Sequence, residues 1–101
     1  MVIYVDIDGT ICTQDNKNDT LDYDRANPRQ EQIDKINKLY DGGNTIIYWT
    51  ARGTVTGIDW TELTTHQLRL WGCKYHDLRV GTKPHYDLWI DDKAKRIEEL
   101  E

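Results

Sequence analysis

The sequence predicts an α/β protein: a small doubly wound, Rossmann-like parallel sheet with helices on both faces and no cap domain. Apolar strand-like runs alternate with amphipathic helical stretches, the pattern of βαβ units. Two of the apolar runs end in carboxylate pairs, Asp6 with Asp8 and Asp91 with Asp92. Sheets of this class bind their ligands outside the carboxyl ends of the strands. Four strands in the order 3-2-1-4 would set strand 1 beside strand 4, bringing both acid pairs to one place.

Each element has its own signal. Val2-Ile3-Tyr4-Val5 is a continuous apolar run of the kind buried on both faces of a parallel sheet. Residues 12–27 are rich in Asn, Asp and Thr and read as a long loop or short flap, a length that favours function. Asn27 as N-cap, Pro28 at the first position and Gln30 at the third predict a helix start. Ile33, Ile36 and Tyr40 fall on its buried stripe, and Gly42-Gly43 ends it. The second strand is Thr45-Ile46-Ile47-Tyr48-Trp49. Asp59 and Glu62 form a capping box for a helix whose apolar side is Trp60, Leu63, Leu70 and Trp71, with Gly72 as its stop. A short strand at 76–80 precedes the loop Gly81-Thr82-Lys83-Pro84. The last strand is 87–90 and the last helix 93–100.

The 101 residues suit one domain with a modest core. With 31% charged and 38% hydrophobic residues, the chain is expected to be soluble and folded. A net charge of −5 argues against wrapping nucleic acid, which needs clustered Lys and Arg. Cys12 and Cys73 lie in no metal-like spacing and read as reduced thiols. No run has the length of a membrane span and the N-terminus lacks a signal-peptide pattern, so the expected location is the cytoplasm.

Asp6 and Asp8 sit two apart, so on an extended strand they share a face. Two anionic side chains on one face make poor core residues and good handlers of a cation or a proton. Together with Thr50-Ala51-Arg52, Lys83-Pro84 and Asp91-Asp92, the segment Asp6-Ile7-Asp8-Gly9-Thr10 resembles, in order and spacing, the four motifs of the haloacid dehalogenase superfamily. The resemblance covers about residues 2 to 95. Singly, each motif has a plainer explanation: an Asx-turn at Asp8, a helix cap at Asp92, a turn residue at Thr50, a solvated Lys83. Their agreement on one site favours the chemistry.

The resemblance implies a nucleophile at Asp6, which would form an aspartyl-phosphate, and a general acid and base at Asp8. It implies Mg²⁺ held by Asp6, the backbone carbonyl of Asp8 and Asp91, with Asp92 as a further ligand or an outer partner. Thr50 and Lys83 would bind the transferring phosphoryl group, and Arg52 is a candidate for substrate contact or a surface ion pair. An Asp at the second motif position marks phosphatases and phosphotransferases and argues against dehalogenation.

Most of the superfamily carries an inserted cap, and neither 12–27 nor 53–58 has the length for one. An open site implies either a large substrate that covers the cleft itself or a partner subunit, such as another copy in a homo-oligomer, that does so. The wording of the motifs resembles short phosphatases of bacterial and phage surface-polysaccharide or nucleotide-sugar synthesis. That makes a sugar phosphate the expected substrate, with a nucleotide or polynucleotide end as the alternative. Readings of another class are a catalytically silent phosphate-binding or regulatory module and a signalling receiver domain. The receiver is disfavoured because no Asp ends the third strand.

Overall fold

A computed structural model of the chain describes residues 1–13 and 23–101. Three strands form a parallel sheet in the order β1 (Val2–Val5), β4 (Thr45–Thr50), β5 (Asp77–Val80). β1 pairs with β4 from Val2 against Thr45 to Val5 against Tyr48, and β4 pairs with β5 from Ile47 against Asp77 to Thr50 against Val80. A two-strand ribbon joins β2 (Cys12–Thr13) to β3 (Asn27–Pro28). Helices α1 (Gln30–Asp41) and α2 (Thr61–Leu70) make the crossovers. No cap is present among the described residues. None of the described helices is long and apolar enough to cross a membrane.

Both helices lie on one face of the sheet. Ile33 and Ile36 of α1 share a single buried cluster with Leu68 of α2, Trp71 just after it, and Val5, Ile46 and Tyr48 of the sheet. Asn37 stitches the helices together, donating from Nδ2 to the Gly72 carbonyl at 2.9 Å while its Oδ1 accepts the Lys74 N–H at 2.8 Å. Two successive right-handed crossovers moving the same way across a sheet must put their helices on the same side. The predicted buried positions Ile33 and Ile36 are therefore correct, and Tyr40 is half-buried, stacked on His76 at 4.7 Å.

Four expectations need correction. The first is the fourth strand: residues 87–90 form none, and Leu88 and Ile90 are 75% and 88% exposed. Only residues 81–86 separate Asp87 from the end of β5, whereas a parallel crossover takes about a dozen residues. The second is the final helix: 93–100 contains only a 3₁₀ turn, Ile97–Glu99. An eight-residue helix is marginal without a sheet to dock on. Among the described residues the outer face consequently carries no helical layer, and Val2 and Tyr4 are exposed rather than buried. That face carries Tyr4 edge-on to Trp49 at 5.7 Å, with Arg79 over the Tyr4 ring at 5.4 Å.

The third concerns 12–27 and the start of α1. Asn27 and Pro28 do not cap the helix; they pair with Cys12 and Thr13, so the ends of the predicted loop are closed into a ribbon. The helix instead begins after Arg29, whose N–H donates to the Ile11 carbonyl at 2.8 Å. Residues 14–22 of that loop lie outside the described residues. The fourth is the inner side of α2, which is Thr64, Gln67 and Leu68, while Leu70 is exposed. Asp59 still serves the start of that helix, its Oδ1 accepting the Thr61 N–H at 2.9 Å and the Thr61 hydroxyl at 2.6 Å. Those two bonds hold its carboxyl below the usual range. Gly43 and Gly72, at φ +95° and +72°, follow the two helices as the sequence predicts.

The core makes a prediction about the thiols. Burial pushes Cys73 up to about 11, so at pH 8 its thiolate is scarce in the folded chain. Thiol modification of native protein at pH 8 should run on the order of 100-fold slower at Cys73 than in urea-unfolded protein, because only the thiolate reacts. Cys12, fully buried, should be slower still. Equal rates in native and unfolded protein would show that this side of the core is open.

Candidate active site

β1 ends at Val5, and the chain beyond it is wound into a turn pinned by two fully buried isoleucines, Ile7 and Ile11. The Ile7 carbonyl accepts the N–H groups of Thr10 at 3.1 Å and Ile11 at 3.0 Å. Gly9 adopts φ +83°, a conformation costly for a side chain, and donates its N–H to the Cys12 carbonyl at 2.9 Å. With Ile7 committed to the core, Asp6 and Asp8 on either side of it remain partly accessible.

Asp6 faces a cation. Lys83 Nζ lies 3.1 Å from its Oδ1, and the Thr10 hydroxyl donates to its Oδ2 at 3.4 Å. Lys83 is buried, its carbonyl accepts the Thr54 hydroxyl at 2.7 Å, and its ammonium lies 5.6 Å from the Tyr86 ring centre. The structure thus brings Lys83 from the loop after β5 to the end of β1, joining two residues 77 apart in sequence.

Asp8 is held by Arg52. The guanidinium, from a residue only 1% exposed, forks onto the carboxylate with Nε at 2.9 Å from Oδ2 and Nη2 at 2.8 Å from Oδ1. Its remaining nitrogen, Nη1, donates to Thr64 Oγ1 at 3.0 Å and Gln67 Oε1 at 2.5 Å. Gln67 in turn donates from Nε2 to the Tyr23 carbonyl at 2.6 Å, and the Tyr23 ring lies under the guanidinium at 4.7 Å. The Cys12 thiol adds a weak bond to Asp8 Oδ1 at 3.5 Å. Thr50, buried at the end of β4, accepts the Arg52 N–H on its Oγ1 at 3.2 Å. Of the two sequence alternatives for Arg52, a surface ion pair is excluded by its burial.

Asp91 and Asp92 are not brought in. Both are exposed, and the Asp91 carboxylate is occupied locally: it accepts the Lys93 N–H at 3.0 Å and Trp89 Nε1–H at 3.3 Å. The Lys93 N–H, foremost, keeps its carboxyl below the usual range. Asp92 is no helix cap either, because no α-helix begins after it and the 3₁₀ turn Ile97–Glu99 is capped at Arg96. Among the described residues, no group of three or more His, Cys, Asp and Glu side chains is placed to hold a metal ion. Asp6 and the Asp8 carbonyl are hard oxygen donors suited to Mg²⁺. Within one chain they lack the third donor that the resemblance implies, and Lys83 already neutralises Asp6. One folded chain does not fit the ion by itself. A surface concavity of ≈ 520 Å³ along Asp59, Glu62, His66 and Arg69 includes none of these carboxylates.

Comparison with known proteins adds the fold. A crystal structure of a Vibrio cholerae protein, carrying a structural-genomics target designation and no functional name, superposes with a TM-score of 0.81. It is 28% identical, over 97% of this chain and 85% of its own. No family model and no curated protein matches the chain.

Thr64 and Gln67 are site residues that the sequence reading missed. Their signal was present: they occupy the same helical stripe as Leu68 and Trp71, where a polar residue implies a buried polar partner. Removing that partner's charge has a predictable effect. Arg52→Met leaves Asp8 without its counter-ion, and urea denaturation should show a loss of about 3–5 kcal/mol. Arg52→Lys should recover only part of it, because an ammonium cannot fork onto both carboxylate oxygens. Unchanged stability in both variants would mean that the clamp is not formed in solution.

Proposed function

We propose that the chain hydrolyses phosphomonoesters through an aspartyl-phosphate on Asp6, as a capless phosphatase of haloacid dehalogenase type. The observation that carries this reading is the meeting of Asp6 and Lys83 at 3.1 Å, with Asp8 two residues on clamped by Arg52. A carboxylate with a nearby buried cation at a strand end is suited to receive a phosphoryl group and to tolerate its charge.

In this reading an Asp6 oxygen attacks phosphorus, the new O–P bond forms, and the bond to the leaving oxygen breaks. Asp8 delivers a proton to that oxygen, then takes one from the water that cleaves the acyl phosphate. Arg52 occupies both Asp8 oxygens, so delivery requires one of its N–H contacts to be exchanged for the substrate. Lys83 follows the charge from the Asp6 carboxylate to the phosphoryl oxygens, and the Thr50 hydroxyl donates to one of them. Mg²⁺ is the expected cofactor, with Asp91 as its missing ligand. The fourth strand 87–90, giving the order 3-2-1-4, belongs to the complete form of the site. The likeness of the motifs to phosphatases of surface-polysaccharide and nucleotide-sugar synthesis makes a sugar phosphate the expected substrate, with a neighbouring subunit covering the open site in place of a cap. The acidic balance disfavours nucleic acid ends.

A second reading has its own observation. Both acid groups are already paired with cations, Asp6 with Lys83 and Asp8 with Arg52, which would suit a silent phosphate-binding module. Turnover separates the two. Phosphate release with Mg²⁺ across sugar phosphates, nucleotides, phosphopeptides and 3′-phosphorylated oligonucleotides should be highest in kcat/KM on a sugar phosphate. Asp6→Asn should abolish it with the fold intact, and wild-type turnover in that variant would remove Asp6 as nucleophile. Best activity on an oligonucleotide would leave a phosphatase with a different substrate.

The division of labour has a separate test. Asp8→Asn should slow alkyl phosphates more than activated aryl phosphates, whose leaving oxygen needs less help, by roughly 10- to 100-fold in relative rate. Equal loss on both would show that Asp8 is not the general acid.

A further inference from the structure

Two unsatisfied features of this chain are complementary. One is the outer edge of β1, which no strand covers among the described residues. Its sequence, Val2-Ile3-Tyr4-Val5, has none of the charges or prolines that keep open edges from pairing. The other is the excursion 84–96, strand-like in sequence yet unpaired, with Tyr86, Leu88, Trp89 and Ile90 all exposed. Its two ends are anchored on its own body. Lys83 sits on Asp6, and Ile97 is buried in the core beside the Arg29–Glu98 ion pair at 3.3 Å.

In this chain the excursion does not fill its own edge: residues 87–90 are unpaired, with Leu88 and Ile90 exposed. A strand that carries Asp91 to Asp6 must run parallel to β1 and begin at the amino end of the sheet. With Lys83 on Asp6 at the carboxyl end, the link from Lys83 to Asp87, about 13–14 Å when fully extended, would have to cover the roughly 10 Å rise of the strand and also turn, which leaves little slack. Antiparallel addition needs less chain but would leave Asp91 at the wrong end. A second copy relieves that constraint, since its β1 is not tied to the Lys83 anchor.

We propose that two copies of this chain exchange the segment 86–90, each adding it as a parallel strand to the other's β1, so that Asp91 of one copy reaches Asp6 and Asp8 of the other. The exchange is reciprocal, as a two-fold dimer requires. It buries the exposed apolar run and covers the bare edge. It also supplies the carboxylate that the single chain withholds from its acid pair, which rests on the phosphatase reading above.

Sedimentation velocity tests the exchange without any activity. The wild type should run as twice the 11.9 kDa chain, and Leu88→Asp with Ile90→Asp should run as the single chain. Both side chains are exposed in the single chain, so the variant should keep its circular dichroism. A monomeric wild type, or a dimer indifferent to these substitutions, would overturn the proposal. Mixing tests the shared site. Asp6→Asn and Asp91→Asn, each inactive alone, should after mixing and re-equilibration recover about a quarter of wild-type turnover, since half the dimers are mixed and each has one intact site. An active wild type whose mixture stays silent would overturn the sharing and leave the phosphatase reading in place. An arm-dependent dimer with no turnover on any phosphomonoester would refute that reading and leave the exchange standing.

Discussion

A guanidinium removed from water must have its N–H groups taken up, and Arg52 meets that demand by gathering the end of the sheet around itself. Its fork on Asp8 fixes the turn after β1. Thr64 and Gln67 bring the inner face of α2 to it, and Gln67 passes the connection on to Tyr23. Tyr23 is itself edge-on to Trp60 at 4.9 Å. Burying such a pair gains little stability by itself, since desolvation offsets the Coulomb attraction. What it provides is position. Asp8, which would otherwise swing freely on a turn, has both oxygens aimed.

The other governing constraint is chain length after β5. Gly81, at φ +81°, turns the chain as β5 ends, its N–H donating to the Thr50 carbonyl at 3.2 Å. Lys83 thereby arrives at Asp6 within three residues of Val80. That short path delivers the cation to the acid pair and leaves little slack for a strand at the far edge. It accords with the open edge of β1 among the described residues and with the exposed 86–90 segment.

Much of the fold and part of the site were legible in the sequence. The strands beginning at Val2, Thr45 and close to Asp77 were readable because parallel strands are continuous apolar runs closed by turn residues. The α1 stripe at Ile33 and Ile36 followed from helical periodicity. The strand 87–90 misled because its composition is right and its connection is not; composition is local, whereas pairing depends on reach. α2 misled in the opposite sense. A helix that serves a buried arginine carries Thr64 and Gln67 inward, so a search for apolar residues selected the exposed Leu70 instead. At the site, the meeting of Asp6 with Lys83 was foreseeable from motif order. The Arg52 clamp was not, since a charged residue after a strand is usually solvated.

The central proposal is that Asp6 is the nucleophile that accepts the phosphoryl group, in a site steadied by Arg52 and Lys83. Trapping tests it most directly. Wild-type protein turning over a phosphomonoester is quenched in acid, reduced with borohydride and digested, and the peptide around Asp6 is weighed. Borohydride converts an acyl phosphate on aspartate to homoserine, so the account predicts homoserine at position 6 and at no other aspartate. Steady turnover with position 6 unmodified, or reduction at a different aspartate, would contradict it.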